Sequence, residues 1–177
     1  MLVEKNILKS DLSYNDDKSR RYLLHIEWDK TKKNAAIVML SAGKANGLVF
    51  DRTTNNVIEN LVELDYGSVD ILNLFSSLDT KIETETDSEN LKMIDVSAKN
   101  ADIVIFAAET GRKADTRVQS RQKEVLAKLK KHDKKLFCIA DKNGQKFYHP
   151  LCPKVKKWNL VKFDIEELTK KGYDNEY

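Results

Sequence analysis

Long apolar runs are missing from this chain. None approaches the roughly 20 residues of a membrane-spanning helix. The first residues, Met1-Leu2-Val3-Glu4-Lys5-Asn6, lack both the charged and the apolar region of a secretory signal. The expectation is a soluble, cytoplasmic protein with no membrane partner. Cysteine is nearly as scarce, with only Cys138 and Cys152. Two thiols cannot by themselves hold an iron–sulfur cluster or a structural zinc. No metal and no cofactor are therefore expected. Cys138 lies in an apolar run and reads as a buried strand residue. Cys152 is close to His149, but the local sequence matches no known Cys–His motif. Two Pro and six Gly argue against a loop-dominated fold. Repeats and low-complexity tracts are absent.

What is present suits one domain of 177 residues with a sizeable core, expected to be a monomer. Apolar residues make up an ordinary 41%, and charged residues a high 33%, so the surface must be very polar. The net charge of +3 hides an asymmetry. Residues 51–110 carry 13 acidic and 4 basic side chains, whereas residues 111–163 carry 16 basic and 4 acidic ones. A basic cluster of that size is a candidate nucleic-acid footprint. Its plainer reading is a solvated surface.

Periodicity organises the chain. Residues 1–20 are polar and are expected to be partly mobile. Arg21 to Trp28 reads as a strand or edge element. Ala35 to Leu40, Val69 to Leu74, Ala101 to Ala108 and Leu136 to Ala140 are short apolar runs, as in strands buried on both faces. Helical patterns lie between them. One runs through Asn56–Leu64, capped by Asp51 or Thr53. A second runs from a Ser88 cap through Ala98, and a third over Thr116–Lys131. Trp158 to Phe163 reads as a last short strand. Asp164 with Glu167 resembles a capping box for a closing helix that stops at Gly172. Alternation of this kind predicts an α/β fold, a three-layer α/β/α sandwich around a mostly parallel four-stranded central sheet.

Three fragments follow strand ends, where open α/β sheets place ligand groups. They are Gly47-Leu48-Val49-Phe50, Asn73 within Ile71-Leu72-Asn73-Leu74-Phe75, and Tyr148-His149-Pro150-Leu151. An aromatic ring, an amide and an imidazole can stack on a flat base, read its polar edge and steady its negative charge. Each also has a plainer reading: a core aromatic, a turn-capping amide, a satisfied loop histidine. His25 and His132 carry no such context. Gly43-Lys44-Ala45 is not the end of a phosphate loop, because Val38 and Ala45 stand where that motif needs Gly and Ser or Thr.

Over roughly residues 20–155 these fragments resemble the uracil-DNA glycosylase superfamily. The whole-chain pattern is closer to an uncharacterised domain family, a remote branch with Leu-Asn-Pro-Ser, Asn-Leu-Phe and His-Pro-Leu segments. The resemblance implies that Phe50 stacks on extruded uracil, that Asn73 reads its amide edge, and that His149 hydrogen-bonds its oxygen as charge develops. It implies that Ser41, Ala42 and Gly43 hold the attacking water beside the base. Here the chain departs from the family, since Leu40-Ser41-Ala42-Gly43 offers no carboxylate or amide where glycosylases usually have one. Lys154, Lys156, Lys157 and Trp158 follow the His-Pro segment and are expected to contact DNA. The implied activity is slow, metal-free excision of uracil from single- or double-stranded DNA. The alternatives are a DNA-binding protein without cleavage, or a decoy for acidic inhibitors that mimic DNA. A nucleotide hydrolase is a third.

Overall fold

The structure is a computed structural model and describes residues 1–79, 87–108 and 116–165. Its strands are β1 (Lys9–Tyr14), β2 (Arg21–Glu27), β3 (Lys33–Ser41), β4 (Tyr66–Phe75), β5 (Ile103–Phe106), β6 (Leu136–Ala140) and β7 (Asn159–Lys162). The helices are α1 (Arg52–Glu63), α2 (Ser88–Asn100) and α3 (Thr116–Leu129), and a 3₁₀ segment, Lys130–Lys135, leads from α3 into β6. All seven strands belong to one sheet, in the order β1-β2-β4-β3-β5-β6-β7. The β4–β3, β3–β5 and β5–β6 pairings are parallel. The β1–β2, β2–β4 and β6–β7 pairings are antiparallel.

The expected four-stranded, mostly parallel sheet is thus corrected to a mixed sheet of seven strands. Continuous apolar runs mark only strands covered on both faces. The edge strands are half-exposed and polar, so they lack that mark. β1 lies inside the polar segment expected to be partly mobile; Lys9 and Asp11 face solvent while Ser10 and Leu12 turn partly inward. Charge on an edge strand discourages pairing with another chain.

The two faces of the sheet bury different sets. Ala35, Ile37 and Met39 of β3 join Val69 and Ile71 of β4 against Val57 and Leu61 of α1. Ala36 and Val38 join Leu72 and Leu74 against α2 (Ile94, Ala98) and α3 (Val118, Val125, Leu126, Leu129). Fully burying each Val, Leu or Ile contributes roughly 1.5–3 kcal/mol. Helix starts obey local chemistry. Asp51 caps α1 by accepting from Thr54 N, and Asp87, rather than the expected Ser88, caps α2 through Glu89 N and Asn90 N. The expected helix from Asp164 to Gly172 lies almost wholly outside the described residues.

Topology decides where a site can form. From β3 the chain passes through α1 to β4 on one side. It then crosses β3 through α2, on the other face, to reach β5. Loops leaving β3 and its two neighbours therefore diverge to opposite faces. In such sheets ligands usually bind beyond the carboxyl ends of the strands at this reversal, and the Ser41–Phe50 loop leaves β3 at that place.

Candidate functional site

The loop from Ser41 to Phe50 is built around a buried cation. Arg21 is only 2% exposed. Its guanidinium donates to Ala45 O at 2.7 Å, to Gly43 O at 3.3 Å and to Asn73 Oδ1 at 3.4 Å. Nε is buried with no partner. Loss of hydration pushes the Arg21 pKa down, and the fields of Tyr14 and Asp51 push it back up. The rigid fork of donors suits Arg to holding several fixed oxygens at once.

Asn73 completes this clamp. Its side chain is 1% exposed, and Nδ2 donates to Ser41 O at 2.7 Å. Ala42 N donates to Phe75 O at 3.2 Å. Ser41, Ala42, Gly43 and Asn73 are therefore brought together. The amide of Asn73, however, faces the protein's own loop.

The loop also contains a carboxylate that the linear motif conceals. A Cβ placed on Gly43 would lie 2.3 Å from Asp51 Oδ2. Asp51 thus covers Gly43, and a larger residue there would push its carboxylate aside. One of its oxygens caps α1, and the other has no hydrogen-bond partner among the described residues. Read along the sequence, Asp51 is merely a helix cap ten residues after Ser41. The fold makes it a neighbour of the Ser41–Gly43 segment.

Phe50 is half-buried and packs against the α1-side apolar cluster, as does Tyr148. His149 follows the carboxyl end of β6, at the same edge of the sheet as the loop after β3. Its ring is exposed, and Nδ1 accepts from Leu151 N at 3.1 Å. Protein packed beside the ring removes part of its hydration and lowers its pKa below the ordinary histidine value. The neutral ring must then carry its proton on Nε2, pointing a donor outward. Tyr148 is fixed by its hydroxyl, which lies 3.0 Å from Asp141 Oδ2 and 2.9 Å from Gln145 Oε1. Phe147, just before it, sits at φ +71°, a strained position for a bulky residue. Edge-on packing of its ring on Phe163 holds it there. Phe50 and His149 stand outside the hydrogen-bonded set of Arg21, Ser41, Gly43 and Asn73.

On the α2/α3 face the same edge holds Asn90, Arg121 and Gln122, all buried. Asn90 Nδ2 donates to Asn73 O and Leu74 O, Arg121 Nε to Leu74 O, and Gln122 Nε2 to Ala108 O. The carbonyl oxygens of the Asn90 and Gln122 side chains have no partner. Nothing in the sequence pattern distinguishes these residues from ordinary polar positions on amphipathic helices.

The expected DNA-binding run divides. Lys154, Lys156 and Lys157 are exposed, and Lys157 pairs with Glu63 of α1 at 3.2 Å. Trp158 corrects the expectation. It is buried in the α1-side cluster, and its backbone N–H donates to Asn60 Oδ1, so its ring is withdrawn from the surface. Among the described residues, no cluster of three or more His, Cys, Asp or Glu could hold a metal ion, and no helix is long and apolar enough to cross a membrane.

Residues 21–151 match a family model described as a protein of unknown function, DUF1643. No curated protein and no solved structure matches the chain.

Proposed function

The chain belongs to the DUF1643 family, whose function is unknown, and from its own site we propose that it excises uracil from DNA slowly and without a metal. The observation that carries this reading is His149. A neutral imidazole whose Nδ1 is committed to Leu151 N presents Nε2–H as a donor at the carboxyl edge of the parallel strands. Breaking the bond between C1′ and the uracil nitrogen sends the electron pair to the base. A donor fixed in advance at the developing oxyanion stabilises that transition state.

The remaining roles follow from position. Phe50 stacks on the flipped base; such stacking is worth about 1–3 kcal/mol and offsets part of the flipping cost. Asn73 keeps Ser41 through Nδ2. Its Oδ1, engaged only by the 3.4 Å contact with Arg21, keeps a second lone pair with which to accept the ring N–H of uracil. Ala42 and Gly43 bound the base and its water. Water adds to C1′ and its proton passes to the unpartnered oxygen of Asp51, the carboxylate that the Ser41–Gly43 segment itself lacks.

Single-turnover assays with stoichiometric protein on uracil-containing oligonucleotides test the proposal. Free uracil is expected to accumulate slowly with wild type. Asp51→Asn, which keeps the helix cap, lowers the rate by about 10²-fold, as loss of a general base does. Wild-type product no greater than that of His149→Ala would reject catalysis. A second reading is a DNA-binding protein without cleavage, or a decoy for acidic DNA mimics. The engagement of Asn73 with Ser41 O favours it, since an amide edge in use is not waiting for a base. Tight, salt-sensitive DNA binding with no base release would select that reading.

A further inference from the structure

β1 is the outermost strand on its side of the sheet, so one line of its N–H and C=O groups faces away from β2. Among the described residues, no backbone outside β2 pairs with Lys9–Ser13. Such an edge is a template for a further strand. Just ahead of it, Ile7 and Leu8 are 70% and 47% exposed. Extended backward, the strand would put Leu8 in the row of Ser10 and Leu12, on the α1 face. Lys9 and Asp11 stand in the opposite row, both exposed. The Asp11 carboxylate makes no ion pair or hydrogen bond among the described residues. Lys9 Nζ lies 3.8 Å from Glu27, a loose surface pair that leaves further N–H donors for a second carboxylate.

We infer that β1 pairs antiparallel with β1 of a second copy, across a two-fold axis at Ser10, joining two sheets into one. The sequence itself selects the register. Residues opposite one another in a ladder share a face, so the axis must pass through a residue and not between two. Centred on Lys9 or on Asp11, the ladder would set like charges opposite each other, which is destabilising. Centred on Leu12, it would leave Lys9 opposite Asn15 and Asp11 opposite Ser13. Centred on Ser10, it sets Lys9 opposite Asp11 of the second copy and Leu8 opposite Leu12, each twice by symmetry. The bulge between Ser13 and Tyr14 ends the regular part of β1, and Leu8–Leu12 lies wholly before it. Charges that bar most partners from this edge thus admit a copy of the same chain. The pairing does not depend on the chemistry proposed for the site. It does abut that site, because Ser10 Oγ holds Gly47 O of the loop after β3 at 2.6 Å.

Sedimentation of the full chain over a range of concentrations tests this. Wild type should pass from monomer to dimer as concentration rises. Lys9→Glu and Asp11→Lys should each weaken the dimer by at least roughly tenfold, because each sets like charges opposite twice. An equimolar mixture of the two variants should dimerise again, since each then meets opposite charge in the other. On the unaltered chain, amide exchange over Leu8–Leu12 should slow as concentration rises. Wild type that stays monomeric up to about 1 mM would overturn the inference. So would a dimer that both single variants leave intact, or a mixture that dimerises no better than its components. Exchange over Leu8–Leu12 that ignores concentration while the protein dimerises would place the contact elsewhere and overturn it too.

Discussion

Arg21 shows how one residue organises this site without announcing itself in the sequence. Its partners are two backbone carbonyls, Gly43 O and Ala45 O, and the Asn73 side chain, 22 to 52 residues away. Carbonyls leave no trace in a side-chain pattern, so the position reads only as the polar first residue of a strand. Phe50, Asn73 and His149 stand out in the sequence because an aromatic, an amide and an imidazole at strand ends are chemically conspicuous, yet the fold joins only Asn73 to Arg21 and Ser41. Asp51 was legible as a cap and not as a neighbour of Gly43, since that approach depends on how the loop closes. Replacement of Arg21 by Met should leave three buried acceptors without their donor. A loss of about 3 kcal/mol follows, at roughly 1–3 kcal/mol for each unsatisfied group and with partial relaxation. Urea unfolding should show a lower midpoint with an unchanged slope. Arg21→Lys should recover only part, because an ammonium cannot span the fork. A loss below about 1 kcal/mol for Arg21→Met would mean that Arg21 does not hold the loop.

At the scale of elements, the central strands were readable, as were β2 and the last strand β7, whereas the edge strand β1 was not. The centre of β3, Ala35–Leu40, and all of β5 and β6 are apolar because both faces are covered. β1 and β2 sit at the margin, where polar side chains are tolerated. There the cross-strand row of Asp11, His25 and Asp70 forms, and His25 Nδ1 lies 2.7 Å from Asp70 Oδ1. The hydrogen bond to Asp70 raises the His25 pKa above its ordinary value, against a smaller effect of burial. A raised folded value means that the protonated ring stabilises the fold. That contribution is fully present below the unfolded value of about 6.5 and is lost as pH rises through the folded value. His149 has the opposite sign. Its lowered folded value means that the unfolded chain takes up the proton first as pH falls through about 6.5, so acid weakens the fold there. Stability against pH should therefore bend on both sides of that value. His25→Gln should flatten the alkaline side and His149→Gln the acid side. Denaturation curves at closely spaced pH would check this, and a bend that survives the matching substitution would refute its assignment.

For the whole molecule, charge is segregated along the sequence but not gathered on one surface. Lys130, Lys131, Lys134 and Lys135 lie just before β6, at the amino edge of the parallel strands, opposite the candidate site. Two already have partners: Lys131 pairs with Asp95, and Lys135 Nζ donates to Lys99 O and Ala101 O at the end of α2. A count of charges in a stretch of sequence cannot see this division, because α3 carries the chain from one edge of the sheet to the other. Lys154 is different. It follows the His149 loop at the carboxyl edge, and its field reaches Asp141 there. If DNA approaches the carboxyl end of β3, only cations on that side release counterions when it binds. Lys154→Glu/Lys156→Glu should weaken DNA binding at every salt concentration and lower the log–log salt slope by about 2. Lys130→Glu/Lys134→Glu, the same change in net charge on the far edge, should leave the slope unchanged. Equal slopes for the two double variants would mean that binding follows net charge alone, and DNA would then have no preferred side of the sheet.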